Sequence, residues 1–331
     1  MTQYTEIHLI KRPDGKPIGP HLFDVVKKDI PTAGPNQVLI KQTHMSLDPA
    51  MLGWMSPDTE SYIPPVELGT VMRSSGLGVV VESNHRRYKA GDVVTGMTGW
   101  SEYILSDGRG FSKLQDGVDP EAALAIFAIP GLTATQGLKI LEPKAGETLV
   151  VTGAAGSVGS IAGQMAKADG LRVIGVVGDD EKANWIVNTL GFDGAINYKT
   201  DDLAAKLKEL TPNGVDVFFE NTGGPIQEHI FSRMNTHGRI AVCGMIADYT
   251  AKTPAPGPNW IPLIKKRLRM QGFAMPDHFA DSPELIEKLT PYVLQGKIKF
   301  RTHVLNGLES AMTGLNLFFT GGNKGKLIVK L

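Results

Sequence analysis

The sequence predicts an α/β protein in two parts, a doubly wound parallel sheet and a smaller β-barrel-like domain. Three observations lead there. From about residue 120 the chain alternates strand-like and helix-like segments at regular spacing. The strands among them are continuous apolar runs, as expected where helices cover both faces of a parallel sheet. Before residue 120 the chain is rich in glycine and turns and shows no long helical period, which suits a small irregular barrel. At 331 residues there is chain enough for two domains, since one usually takes about 100–200 residues.

In the first part, "QVLIKQTHMSL" (37–47) and "GLGVVVES" (76–83) are β-branched, apolar strands. "GPNQ", "SPDTESYIPP" and "YKAGDVVTGMTGW" between and after them carry Pro, Gly, Asp and Asn, the residues of turns. "AGDVV" (90–94) reads as a turn into a strand that buries Val93 and Val94. "DPEAALAIFAIPGLTATQGLKIL" (119–141) reads as a helix. Strands "ETLVVTGA", "RVIGVVG", "GAINY", "VDVFFENTG" and "RIAVCGM" then alternate with helices "SVGSIAGQMAKADG", "DEKANWIVNTLG", "DDLAAKLKEL" and "IQEHIFSRMNTHG". This is the doubly wound pattern. "PAPGPNWIP" (254–262) reads as a Pro-rich loop, outside any ordinary helix or central strand. Residues 301–331 read as strand, helix, Gly-rich turn and strand, expected to return to the first domain.

Composition excludes several classes. With 34 basic and 34 acidic residues the formal net charge is zero, so no broad nucleic-acid footprint is expected. One cysteine, Cys243, leaves no intrachain disulfide and no multi-cysteine zinc lobe. The N-terminus has no apolar core of signal-peptide length, and no run approaches the roughly 18 apolar residues of a membrane span. A cytoplasmic protein is expected.

The first strand of the repeating series leads into Ala154-Ala155-Gly156-Ser157-Val158-Gly159, an A-x-G-x-x-G loop opening a helix. Gly156 lets backbone approach a pyrophosphate, Gly159 lets the helix pack closely, and the helix N-terminus offers free N–H groups. The alternative is a tight turn that binds nothing; the strand–loop–helix context favours a dinucleotide. The second strand ends at Val177-Gly178, without the acid that usually meets an NAD ribose. Asp179, Asp180 and Glu181 follow late, and then Lys182, suited to a 2′-phosphate; Tyr198 ends the third strand. NADPH is therefore favoured over NADH.

These residues, with "MSLDP", "SYIPPVELG", "YKAGDVV", "GLTA", "GAAGSVGS", "GDDEK", "INYKT", "ENTGG", "VCGMI", "RLRMQGF" and "GGNKGKLIVKL" in that order, resemble a family. The chain is similar, over essentially its full length, to the zinc-independent medium-chain dehydrogenase/reductases of the alkenal, prostaglandin and curcumin reductase branch, the leukotriene B4 dehydrogenase group. The resemblance implies a GroES-like β-barrel catalytic domain (1–122 and 300–331), a Rossmann NADPH-binding domain (123–299), and a homodimer. It places the pyrophosphate on Gly156, Ser157, Val158 and Gly159, the 2′-phosphate on Lys182 and the adenosine by Tyr198. Asn221, Cys243, Tyr249, Phe273, Met275 and Asn323 would line the rest of the cofactor. Zinc members carry a cysteine after the strand that here reads "VLIKQTHMSLD"; this chain has none there, and His44 lacks ligand partners, so no metal is expected.

Hydride chemistry without a metal suits a double bond conjugated to a carbonyl, where charge spreads into an enolate held by hydrogen-bond donors. The chain departs from the family where substrate is met. Ala50 and Leu52 stand where many relatives have Tyr and Arg, and Lys265 stands where many have Tyr. Tyr62, Tyr249 and Lys265 are the candidate donors, with Lys265 equally readable as a solvated charge in "KKRLR". Two further readings are an NADPH-dependent quinone reductase and an NADPH-binding sensor or structural protein with little turnover.

Overall fold

The computed structural model describes residues 2–331 except Asp116, Lys252 and Pro254. Pro254, the first residue of the Pro-rich segment, thus lies outside the described residues. The chain divides into two compact units, Met1–Leu124 with Thr302–Leu331, and Ala125–Arg301.

The first unit begins with β1 (Gln3–Leu9), β2 (Phe23–Asp29), β3 (Val38–Ser46), β4 (Thr70–Val71), β5 (Ser75–Ser83), β6 (Val93–Met97), β7 (Tyr103–Ser106) and β8 (Ser112–Lys113). One sheet runs β2-β1-β4, and β3 pairs antiparallel with both β5 and β7. Alternate residues of a strand face opposite sides, so Val94 is buried while its neighbour Val93, expected to be buried as well, is only half-buried. Ile7, Leu9, Leu22, Met45 and Trp100 form the core of this unit.

The second unit holds β9 (Thr148–Thr152), β10 (Arg172–Val177), β11 (Gly194–Asn197), β12 (Val215–Glu220), β13 (Met234–Val242) and β14 (Arg269–Gly272). They form one sheet in the order β11-β10-β9-β12-β13-β14, every pair parallel. From β9 the chain winds outward to β11, then returns to the other side of β9 for β12. The crevice at that reversal, above the carboxyl ends of the strands, is where open α/β sheets bind ligands. Val150, Ile174, Val176, Phe218 and Ile240 fill the core under it.

Three readings of this region change. Residues 119–141 are not one α-helix: Ala123–Phe127 is a π-helical turn, Ala128 is extended, and the α-helix runs Ile129–Leu141. The turn presses the Ile126 carbonyl onto the helix, where a Cβ on Gly131 would lie 1.7 Å from its oxygen; only glycine fits. The helix expected through residue 238 ends at Arg233, and β13 starts at Met234, paired with Val215. His237 takes φ +64°, and its N–H donates to Lys266 O at 2.7 Å. Ile261 and Pro262, assigned to the loop, open a short helix, Ile261–Lys265; proline lacks only an N–H that a first helical turn does not use. A helix at Ser282–Leu294 was not singled out by its pattern.

The chain then returns to the first unit as β15 (Thr302–Asn306) and β16 (Lys326–Lys330), with β16 antiparallel to β3. Lys326 on β16 is 2% exposed. Its Nζ donates to Leu47 O at 3.0 Å and Asp48 Oδ1 at 2.6 Å, fixing the turn before Ala50 and Leu52. One stretch, Pro120–Leu141, is long and apolar enough to cross a membrane by length and composition, and 78% of its apolar window is buried within the protein.

At the amino ends of the parallel strands, Arg239 forks onto Glu147, with 2.8 Å and 2.6 Å bonds, and also donates to the carbonyls of Leu141 and Glu142. Burial opposes ionisation of Glu147, but the Arg239 guanidinium and the Lys144 N–H hold its carboxyl below the ordinary value. Arg239→Gln is expected to cost about 2 kcal/mol near neutral pH. A carboxyl with a lowered folded pKa stabilises above its unfolded value and loses that contribution on acidification. The deficit should therefore shrink as pH falls below about 4.5, which urea unfolding between pH 7 and 4 would read.

Candidate active site at the carboxyl ends of the parallel sheet

The glycine loop follows β9. Gly153 turns at φ +60°, and the helix Ser157–Ala168 starts directly after Gly156. No side chain caps this helix, whereas the next two are capped by Asp179 and Asp202, each accepting a first-turn N–H. The first-turn N–H groups at Ser157, Val158 and Gly159 thus face the crevice side of the loop without an intrahelical acceptor, the arrangement that receives an anion. Close packing sets the loop's shape. A Cβ on Gly159 would lie 2.5 Å from Gly153 O and 3.0 Å from Ala154 Cα, and one on Gly156 3.1 Å from Gly153 O.

Beyond β10 the three acids are all engaged within the protein. Asp179 accepts from Lys182 N at 2.8 Å and lies 3.4 Å from Lys182 Nζ. Asp180 accepts from Asn197 Nδ2 at 2.7 Å, and Glu181 meets Arg301 at 3.4 Å. Arg301 in turn lies over the Trp185 ring. Each acid thus already has a partner within the protein, and Gly178 supplies no side chain at the strand end. The Tyr198 hydroxyl lies beside Gly178, 3.1 Å from where a Cβ would stand, so Gly178, Lys182 and Tyr198 gather at one strand end. Lys182 is mostly buried, with its ammonium held toward Asp179.

Past β12, Asn221 is tied to β9: its N–H donates to Thr152 Oγ1 and its Nδ2 to Thr152 O, both at 2.8 Å. Cys243 follows β13, its N–H bonded to Glu220 O. Burial pushes its thiol up to about 12, so it is a neutral wall group at neutral pH rather than a nucleophile. Tyr249 lies close by, its hydroxyl near Gly244 and 3.4 Å from Met245 N. Burial raises the pKa of this phenol as well. Phe273, after β14, stands edge-on to Phe219. Gly156, Lys182, Tyr198, Asn221, Cys243 and Phe273 thus come from the carboxyl ends of all six strands.

Two family models match the chain: an "N-terminal domain of oxidoreductase" over residues 5–114 and a "zinc-binding dehydrogenase" over residues 157–290. The NADPH-dependent curcumin reductase of Escherichia coli K12 is 39% identical over 98% of this chain and 95% of its own. The 2-alkenal reductase (NADP(+)-dependent) of Nicotiana tabacum is 38% identical over 92% and 90%. The chain belongs to the zinc-independent medium-chain dehydrogenase/reductases. In that family, CurA of Vibrio vulnificus, solved in complex with NADPH, superposes with a TM-score of 0.92 at 38% identity, covering 98% of each chain. Although the second model's description names zinc, no group of three or more His, Cys, Asp or Glu among the described residues is placed to hold a metal. His44 on β3 bonds Thr43 instead.

The remaining expected residues of this medium-chain reductase fall elsewhere. Met275 is buried against Leu132 and Leu285 in a small core of the second unit. Lys265 lies before β14 and beside Lys266, which binds the start of β13. In a parallel sheet that is the amino end, opposite the six residues above. Lys265 is exposed there, so within its own unit the structure separates it from Tyr249 and Asn221. Tyr62 and Asn323 belong to the first unit; Tyr62 is exposed, and Asn323 donates to Gly325 O at 3.2 Å. Ala50 and Leu52 pack onto that unit's core. Sequence reasoning missed Glu220 and Thr152, which join the two central strand ends. The available signal was an acid closing the apolar run "VDVFFE".

Proposed function

We propose that this protein reduces the carbon–carbon double bond of α,β-unsaturated aldehydes or ketones. It is an NADPH-dependent oxidoreductase. The observation that carries the cofactor assignment is the uncapped helix at Ser157, opening from a glycine loop at the point where the strand order reverses. The N–H groups of Ser157, Val158 and Gly159 hold the pyrophosphate. Lys182 pairs with the 2′-phosphate and Tyr198 flanks the adenosine. Asn221, Cys243, Tyr249 and Phe273 wall the nicotinamide half. When bound, NADPH supplies a hydride, directed at the β-carbon of the substrate.

The protein's part is to position and to stabilise charge. Tyr249 keeps its proton at neutral pH, as a phenol of ordinary pKa does, and burial shifts it further that way. Its oxygen accepts from Met245 N, leaving its own O–H to donate to the carbonyl oxygen where negative charge develops. Tyr62 is the second candidate donor. With Ala50 and Leu52 in place of Tyr and Arg, the substrate wall is small and apolar, which favours alkyl enals and enones. The working state is a cytoplasmic homodimer, joined through β14, which among the described residues ends the sheet beside β13 and leaves an edge.

NADPH oxidation at 340 nm with 2-hexenal, 3-nonen-2-one and a naphthoquinone, each repeated with NADH, tests the proposal. Turnover of the enal and enone with a saturated carbonyl as product is expected. Turnover of the quinone alone would make it a quinone reductase. NADPH binding with no turnover across the panel would favour a sensor or structural role.

A further inference from the structure

We propose that Glu220 is a positioning residue: its buried carboxyl joins the ends of the two central strands and sets the Asn221–Gly223 turn against the glycine loop. The inference rests on the reading that this crevice holds NADPH. Glu220 closes β12 with no solvent exposure. Its Oε1 accepts from Thr152 Oγ1 at 2.5 Å, Thr222 N at 2.6 Å and Gly223 N at 3.2 Å. Thr152 Oγ1 receives Asn221 N in turn, and Thr152 O receives Asn221 Nδ2. One carboxyl oxygen therefore organises the whole turn between β12 and the helix Pro225–Arg233, and through Thr152 it places the Asn221 side chain.

Burial and hydrogen bonding act on this carboxyl in opposite directions. Oε2 is buried with no hydrogen-bond partner, and so is Gln227 Nε2 on the neighbouring helix. A charge there is costly in an apolar interior, while the donors from Thr152, Thr222 and Gly223, and the nearby Gln227 amide, favour the charged form. Arginine, lysine and histidine are absent from the groups that act on it: Thr152 from β9, Thr222 and Gly223 from the turn, and Gln227 from the helix. On the remaining side stand the Cys243 thiol, which feels Glu220, Tyr249 beyond it, and Asp248, whose Oδ2 lies against Gly223. All of these are neutral or acidic. Burial outweighs those donors and raises the carboxyl's pKa above its ordinary 4.5. Between the unfolded and the folded value the native state keeps a proton that the unfolded chain releases, so the native fold loses stability as pH rises through that window. A glutamine, neutral at every pH, keeps the Oε1 contacts and escapes this loss.

The test uses the full chain as wild type, Glu220→Gln, Glu220→Ala and Thr152→Val. NADPH dissociation constants are measured by fluorescence titration, and thermal midpoints without coenzyme are recorded from pH 4 to 9. Ala at 220 and Val at 152 should each weaken NADPH by about tenfold or more through the lost turn bonds. Gln at 220 should bring affinity back to within about threefold of wild type. Its thermal midpoint should gain on wild type steadily as pH rises. Wild-type affinity in folded Glu220→Ala or Thr152→Val would overturn the positioning role, as would equal damage by Gln and Ala. A pH-independent gap between wild type and Glu220→Gln would overturn the opposition of burial to the charged carboxylate. Failure of the wild type itself to bind NADPH would strike the functional reading instead, and the pH series on the unliganded proteins would still decide the state of the carboxyl.

Discussion

Alanine at Gly159 is expected to weaken NADPH binding by about a hundredfold and to destabilise the nucleotide-binding unit by about 1–3 kcal/mol. The added methyl would stand 2.5 Å from Gly153 O, 3.0 Å from Gly153 C and 3.0 Å from Ala154 Cα. All three are backbone atoms of the loop that Gly159 packs against, and none can rotate away as a flexible side chain would. The helix Ser157–Ala168 must back off, or the loop must open. Either movement displaces the first-turn N–H groups, whose value to an anion depends on their converging on it. Isothermal titration with NADPH, together with urea unfolding, separates the two effects. Wild-type affinity in a folded Gly159→Ala protein would sink the assignment of this loop as the pyrophosphate cradle.

Lys182→Ala is expected to raise the dissociation constant for NADPH by about 10- to 100-fold while leaving NADH nearly unchanged. The two coenzymes differ by one phosphate, which carries most of its second negative charge at pH 7. β10 ends at Val177 before Gly178, with no acid to prefer a hydroxyl there, and Asp179, Asp180 and Glu181 beyond it already have partners in the protein. Lys182 is held by Asp179 across its own helical turn, so its ammonium is ordered before any ligand arrives. Removing it takes away a charge-assisted contact that only the 2′-phosphate makes. The measurement is the ratio of NADPH to NADH affinity at low and moderate salt. A ratio unchanged by the substitution would remove Lys182 from the specificity argument.

Much of the nucleotide-binding unit was legible because its signals are local. Continuous apolar runs marked β9 to β12, the A-x-G-x-x-G spacing marked the loop, and the order of residues after each strand marked Lys182, Tyr198 and Asn221. Parallel winding then places those positions at one end of the sheet without further information. Lys265 shows the limit. Its neighbours "KKRLR" identify a basic run, but only the pairing of β13 with β14 shows that the run lies at the amino ends of the strands.

The sequence by itself determined the two-part α/β class, the glycine loop, the lack of an acid at the end of β10 and the single cysteine. Each is a matter of residue type and spacing within about twenty positions. Tertiary structure alone decided that Asp179, Asp180 and Glu181 are engaged, that the helix at Ser157 is uncapped, that the π-helical turn presses on Gly131, and that Glu220 is buried on Thr152. The ion pair of Glu181 with Arg301 and the bond of Glu220 with Thr152 depend on atoms brought together from distant parts of the chain. Thr152 and Glu220 are 68 residues apart, and an acid in an apolar run reveals nothing of its partner until the strands are laid side by side.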